Sequence, residues 1–442
     1  MFTMEKGAEL TPQILDKFIH NFILINQPRL QKYRNYYDGH MAIERKTYSD
    51  PTKPINRICT NFCDIVTNTY NGYLTGKLIS YTSEQSIDDI LDILKYNDYQ
   101  TQDSEFMRNM LIYGVAYEFH FLDSDAQPRI AQIDPQDAFC IYDNSVLHDI
   151  MYFVRFYKVE EFSADITYII EVWDSKQVMR YKSRGIGGAL EFVNTEPHYY
   201  HQVPVSVGLL NHDEVSIFDK IMTLNDAYND AMSCSLDDFD AFVDAYMVFY
   251  GIDTDDNNKL QNMREKRVIS IPTEPEITNK VEYLSKPTQD TQVQNLLETI
   301  KKNIFKVSAA PDMADENFLA QSGEALKWKL VGFENAASNI AGQFRLALQK
   351  RIELFTEILN LKASDAVWRD IQIVVARNLP DNLTEKLNMV NALRGIVSDK
   401  TLLAQIPFVT DVDAEIAAVQ EQKAANMDIY GSAFADESGG AE

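Results

Sequence analysis

The chain has no run approaching twenty uncharged apolar residues, so no membrane-spanning helix is expected. Its first residues, MFTMEKGAEL, show neither the basic nor the apolar region of a secretory signal. Cysteine is scarce: Cys59, Cys63, Cys140 and Cys234 are the four in 442 residues. That excludes a disulfide framework and points to a reducing compartment. Basic charge is short as well, with 41 Lys+Arg against 66 Asp+Glu and a net charge of −25. Such a chain is not built to grip nucleic acid by neutralising phosphates. It suits a surface past which a phosphate chain slides, and simple solubility accounts for the same charge. The deficit is uneven. Residues 1–60 hold nine Lys/Arg and six Asp/Glu, a balance of +3, which leaves −28 for the remainder.

Catalytic fingerprints are missing too. Gly72 to Lys77 reads GYLTGK, with three residues between the glycines where a phosphate loop has four, and Leu78 stands where a magnesium-binding hydroxyl is needed. Ser183 to Leu190, SRGIGGAL, is a hairpin loop and not a dinucleotide fingerprint. Cys59 and Cys63 lie one helical turn apart with no second pair for zinc, and read as core cysteines. His198 and His201 have no carboxylate or cysteine to complete a metal set. No cofactor, no metal and no enzymatic activity are expected.

What is present begins with enough apolar residues (45%) and aromatics (11%) for real cores, and length for two to four domains. Residues 11–28 form a helix opened by Thr11-Pro12. Residues 86–122 read as helical, with Ile87, Ile90, Leu91 and Leu94 on one face. From 129 to 208 the pattern becomes antiparallel sheet: Phe139–Tyr142, Met151–Tyr157, Thr167–Trp173 and Gln177–Tyr181 alternate with turns.

Residues 213–250 form a long acidic helix with nine acids and one base. Asp219, Asp226, Asp230, Asp237 and Asp244 fall within a ribbon about 40° wide at about 100° per residue. Like charges stacked so closely destabilise an isolated helix, so something must offset them. Residues 251–287 break the helical rhythm, with short strands in REKRVISIP and KVEYLSKP.

The centre of the chain is residues 288–361. Val293, Leu296, Leu297, Ile300, Ile304 and Val307 line one helix that Pro311 stops. A polar loop from Asp312 to Gln321 follows, and Ser322 is placed to cap a second helix running to about Leu361. Forty residues of helix span about 60 Å, too long for one compact domain. Its charges exclude a membrane span, and Leu326, Leu330, Phe333, Ala337, Ile340, Phe344, Leu348, Ile352, Phe355 and Leu359 make one apolar stripe. Ala336, Ala337, Ala341 and Gly342 permit the close approach of another helix. Beyond it, Ile371–Ala376 reads as a strand, and residues up to about 425 as three short helices with Ser398 and Thr410-Asp411 as caps.

SGEALKWKLVGFEN, preceded by SAAPDMADENF, resembles the portal proteins of tailed double-stranded DNA phages, in the branch typical of siphophages of Gram-positive hosts. The N-terminal signature of that family is matched by Tyr36, Tyr37, Gly39 and His40, then by Lys53, Pro54, Asn56, Ile58, Asn61 and Phe62, and closes on Gly72 to Lys77. The family often has proline after that lysine; here it is Leu78. Asp226 to Asn229, DAYN, fits as well. Taken without the resemblance, Lys32 to Tyr37 also suits a nucleic-acid patch with interleaved aromatics.

The resemblance covers about residues 30–425 and implies an α+β portal fold that assembles as a ring, by family twelve-fold. It divides the chain into an N-terminal segment and α/β wing (1–212), a stem helix (213–250), a clip (251–287), a second stem helix (288–311) and a tunnel loop (312–321). A spine helix and wing strand (322–380), a helical crown (381–427) and a disordered tail (428–442) complete it. Implied partners are double-stranded DNA, the terminase large subunit, a head–tail connector or adaptor, and major capsid and scaffolding proteins, with no membrane. Met313, Asp315, Glu316, Asn317, Phe318 and Gln321 are the expected loop residues facing DNA, and the aspartate ribbon an acidic collar. The rival readings are a terminase-type packaging ATPase and nuclease, which lacks its phosphate loop, and an acidic scaffold unrelated to phage.

Overall fold

In a computed structural model, the structure describes residues 2–50, 53–160, 166–185, 188–243, 246–250, 268–271, 280–284, 290–314, 323–361, 367–378, 390–403, 412 and 415–420. Strand β1 (Phe2–Met4) precedes helices α1 (Pro12–Asn21) and α2 (Gln27–Asp38), which are continuous through a π-helical turn at Phe22–Asn26. The expected cap is present: Thr11 Oγ1 accepts a hydrogen bond from Ile14 N, and Pro12 sits where a missing N–H costs nothing. Gly39 ends α2 at φ +89°, which is why this place favours glycine. Helix α3 (Phe62–Thr75) and strand β2 (Ser80–Thr82) follow.

The expected helix over 86–122 is three elements. Helix α4 (Asp88–Tyr96) stops at Asn97, Asp98 turns left-handed at φ +48°, and α5 (Tyr99–Tyr113) ends at Gly114, φ +80°. A Cβ on Gly114 would lie 2.3 Å from the Glu214 carbonyl carbon, so the close approach needs glycine. The chain then enters β3 (Val115–Leu122). Its first six residues are all buried, so the alternation that marks a half-exposed strand is absent from the sequence.

Strands β4 (Pro128–Ile133), β5 (Ala138–Asp143), β6 (Ile150–Glu160), β7 (Ile166–Trp173), β8 (Gln177–Ser183), β9 (Glu191–Pro197) and β10 (Val205–Leu209) complete the sheets. All four strands expected between 139 and 181 are there. They form the antiparallel ladder β5-β6-β7-β8-β9, with β1 added in parallel along β5. A second sheet runs β10-β3-β4. Period-2 geometry gives β3 two different faces. Tyr117 and Phe119 stack toward Phe153 and Trp173 of the large sheet, while Glu118 and His120 point the other way.

Residues 213–250 are not one helix. A short 3₁₀ turn at Asp219–Ile221 leads into α6 (Met222–Val243), and Tyr246–Tyr250 is strand β11. It pairs in parallel with β12 (Val268–Ile271) and antiparallel with β13 (Lys280–Leu284), the two short strands expected there. Helix α7 (Asp290–Ser308) ends three residues before Pro311, where Ala309 turns left-handed at φ +56°. Helix α8 (Gly323–Leu361) is 39 residues long and packs across β10. Of its expected stripe, Phe333, Ala337, Ile340, Phe344, Leu348, Ile352 and Phe355 are buried, and Leu330 and Leu359 partly so. The expected cap Ser322 lies outside the described residues. Strand β14 (Gln372–Val374) pairs antiparallel with β2.

These elements form one unit, Met1–Arg377. A second unit, Asn378–Glu442, contains α9 (Asp399–Leu403), where Ser398 Oγ accepts from Thr401 N at 3.3 Å as a cap should. Thr410-Asp411 and the tail lie outside the described residues.

Candidate functional site

The segment Lys53–Phe62 owes its place to α6. Asn225, Asn229, Ser233 and Asp237 follow one another every fourth residue, so they stand in a row on one helix face. Each accepts from a backbone N–H of the segment before α3. Phe62 N donates to Asn225 Oδ1 at 2.9 Å, Thr60 N to Asn229 Oδ1 at 2.9 Å, Ile58 N to Ser233 Oγ at 2.9 Å and Asn56 N to Asp237 Oδ1 at 2.5 Å. Every second residue of the strap meets every fourth of the helix. The match is geometric: two extended residues advance about 6.6 Å and four helical ones about 6 Å. The ladder thus gives the strap the acceptors that a neighbouring strand would supply, and all four ladder side chains are buried.

The signature residues have roles in this joint. Asn61 caps α3 through Asp64 N and donates to Tyr37 O at 2.7 Å. Phe62 packs edge-on against Tyr228 of α6 and Phe305 of α7. Asn56 also donates through its side chain to Asp240 at 2.7 Å. Gly72 and Gly76 belong to α3 and its C-cap, which removes any phosphate loop. Cys63 is buried as expected, whereas Cys59 is exposed, its thiol donating to Gly39 O.

The aspartate ribbon is divided by the same joint. The Tyr33 hydroxyl donates to Asp219 at 2.9 Å and the Tyr36 hydroxyl to Asp226 at 2.7 Å. Tyr48 and Lys46 both donate to Asp237, at 2.8 and 3.0 Å. Here is the offset that the like-charge stacking required. Burial and the bond to Asp219 push the Tyr33 hydroxyl up to about 12. Burial opposes the charge of Asp237, but its bonds to Tyr48, Asn56 and Lys46 hold it below the usual carboxylate range. Asp230 keeps an exposed side chain, with Lys46 at 3.7 Å. Asp244 lies outside the described residues. Tyr33 and Tyr36 are buried against α6, so Lys32–Tyr37 does not present an exposed row of aromatics for nucleic-acid bases.

The polar loop is anchored on both flanks by α3. On the α7 side, Tyr70 donates to Ser308 O at 2.9 Å, and Lys301 pairs with Asp312 at 2.8 Å. Asp312 also accepts from Ala314 N. On the α8 side, Phe333 fits between Tyr70 and Tyr73, and Tyr73 donates to Glu334, which Arg377 also holds at 2.9 Å. Met313 is exposed. Asp315, Glu316, Asn317, Phe318 and Gln321 lie outside the described residues.

Among the described residues, no group of three or more His, Cys, Asp or Glu side chains is placed to hold a metal ion. Both ring nitrogens of His198 bond to the backbone, at Asp174 O and Tyr200 N. No described helix is long and apolar enough to cross a membrane.

The sequence that builds this joint has counterparts among known proteins. The family described as "Phage portal protein, SPP1 Gp6-like" matches residues 17–428, and the chain belongs to it. It is 22% identical to the portal protein of Bacillus phage SPP1, over 98% of this chain and 88% of that protein. It is likewise 22% identical to the portal protein of Clostridium phage phiCD119, over 83% of this chain and 85% of the relative. The resemblance read from Tyr36–Phe62 and from the residues flanking the loop is therefore correct.

Proposed function

We propose that copies of this chain form a ring, twelve-fold by family, at one vertex of a phage capsid. Double-stranded DNA passes through the ring inward during packaging and outward at ejection. The work is steric and electrostatic, with no catalytic step. The observation that carries this reading is the double anchorage of the loop: α3 grips Ser308 on one flank and Phe333 and Glu334 on the other. With both flanking helices tied to α3, the frame on either side of the loop is stiff, which suits a constriction around a duplex. Met313, Asp315, Glu316, Asn317, Phe318 and Gln321 supply groups without strong phosphate affinity.

Of the ribbon, Asp219, Asp226 and Asp237 serve the joint with the N-terminal segment. Asp230, exposed and 3.7 Å from Lys46, is the residue we assign to an acidic wall, with Asp244 as its continuation. The clip, 251–287, meets the terminase large subunit during packaging and a head–tail connector later. The remaining surface meets capsid and scaffolding proteins, and assembly takes place in the host cytoplasm.

Deleting residues 313–320 is expected to leave ring assembly intact and to impair DNA packaging or retention, measured as DNA protected inside particles. Packaging at the wild-type level by the deleted chain would overturn the assignment of this loop.

A further inference from the structure

Arg351 is the largest fully buried side chain described. It lies on the apolar stripe of α8, between Leu348 and Phe355, and meets two buried carboxylates. Its Nε and Nη2 donate to the two oxygens of Glu118 at 2.7 and 2.6 Å, and its Nη1 donates to Asp103 Oδ1 at 2.5 Å. Glu118 has the full bidentate fork and a further donor, Gln132 Nε2, at 3.0 Å. Asp103 has one donor, and its Oδ2 is buried with no hydrogen-bond partner among the described residues.

One guanidinium cannot neutralise two carboxylates, and among the described residues no second cation reaches the centre. His120 from β3 is 3.6 Å from Glu118, with its Nε2 bonded to Ser206 Oγ at 2.9 Å. Burial, and then the charges of Arg351 and Lys350, drive its pKa well down, so it stays neutral. Lys350 is directed to Gln202 and Glu353. Tyr81 of β2 and Tyr99 of α5 are the other titratable groups around Asp103, and burial raises both hydroxyls, leaving them uncharged. The surplus negative charge belongs to the carboxylate with the poorer set of donors.

We propose that Asp103 is a neutral carboxylic acid in mildly acidic solution, and that release of its proton toward neutral pH loosens the seat of α8 on α5 and β3, making the Arg351 centre a pH-sensitive latch. Burial is the main cause, opposed by Arg351, and it lifts Asp103 from 3.8 to about 6. An acid with a raised folded-state pKa binds its proton more tightly in the folded chain. Its contribution is therefore complete below about 4 and is lost as pH rises through about 6. The latch lies within one chain and needs neither ring assembly nor DNA.

The test compares full-length wild type with Asp103→Asn, which mimics the neutral acid at every pH. Thermal unfolding is followed from pH 4 to pH 8. Between pH 4 and pH 7 the folding equilibrium constant of wild type should fall about a hundredfold relative to the variant, since two pKa units separate the folded and unfolded acids. A variant destabilised by the same amount at every pH would show that Asp103 is a permanent anion and would overturn the latch. Wild type alone gives a second readout. Hydrogen exchange of residues 345–357, corrected for intrinsic rates, should show less protection at pH 7 than at pH 5. Equal protection at both would also overturn it.

Discussion

Arg351→Met is expected to lower the stability of the Met1–Arg377 unit by about 3–5 kcal/mol at neutral pH, the cost typical of breaking a buried ion pair from one side. Methionine fills much of the arginine's volume, so the loss is electrostatic more than a matter of packing. Glu118 loses both donors of the fork, and Asp103 loses the one donor it has. Neither carboxylate can turn to water, because both are buried. The thermal midpoint of full-length protein checks this, and the drop should be smaller at pH 5, where Asp103 is largely protonated. The variants Glu118→Gln and Arg351→Met should combine non-additively, since each removes the same fork. A midpoint within a degree of wild type would show that the guanidinium contributes nothing net.

The second large effect concerns the strap. Asn225→Ala with Asn229→Ala removes the acceptors for Phe62 N and Thr60 N. Each buried N–H left without a partner costs about 1–3 kcal/mol, so the pair should cost about 2–5 kcal/mol, allowing for partial coupling between neighbours. The Asn225 amide also donates to Thr60 O at 2.8 Å, so that carbonyl is left without this partner too. Limited proteolysis should then cut between 54 and 61, where wild type resists. Thr223→Ala, on the exposed side of α6, is the control and should stay within about 0.5 kcal/mol. Resistance of the double variant to the protease would mean that Phe62, wedged between Tyr228 and Phe305, holds the strap without the ladder.

The long helix was legible from its period of 3.6 along Phe333–Phe355, and the four central strands from short runs rich in Val, Ile, Tyr and Phe set between turn residues. Strand β3 was not, because a strand buried on both sides does not alternate, and its apolar run joins that of α5 with only Gly114 between them. Strand β11 was hidden in the same manner, its Tyr-Met-Val-Phe-Tyr extending the apolar pattern of α6. Strand β1 is three residues long and earns its place only by pairing with β5.

At the site, the signature residues and the aspartate ribbon stand out in the sequence, but their partnership does not, since the strap and α6 are more than 160 residues apart. The signal was nevertheless present: Asn, Asn, Ser and Asp at a spacing of four form a polar row on a helix that also needs an apolar face. Arg351 was readable as well. It is one of the charges of α8 that a membrane span would not carry, yet it falls on the apolar stripe, and a charge there implies buried counter-charges.

Electron microscopy of the purified full-length protein tests the account most directly. Rings with a central hole wide enough for a duplex, with the 312–321 loops bordering it, are the predicted result. Particles without any lumen, in which α6, α7 and α8 pack wholly inside a lone subunit, would contradict it.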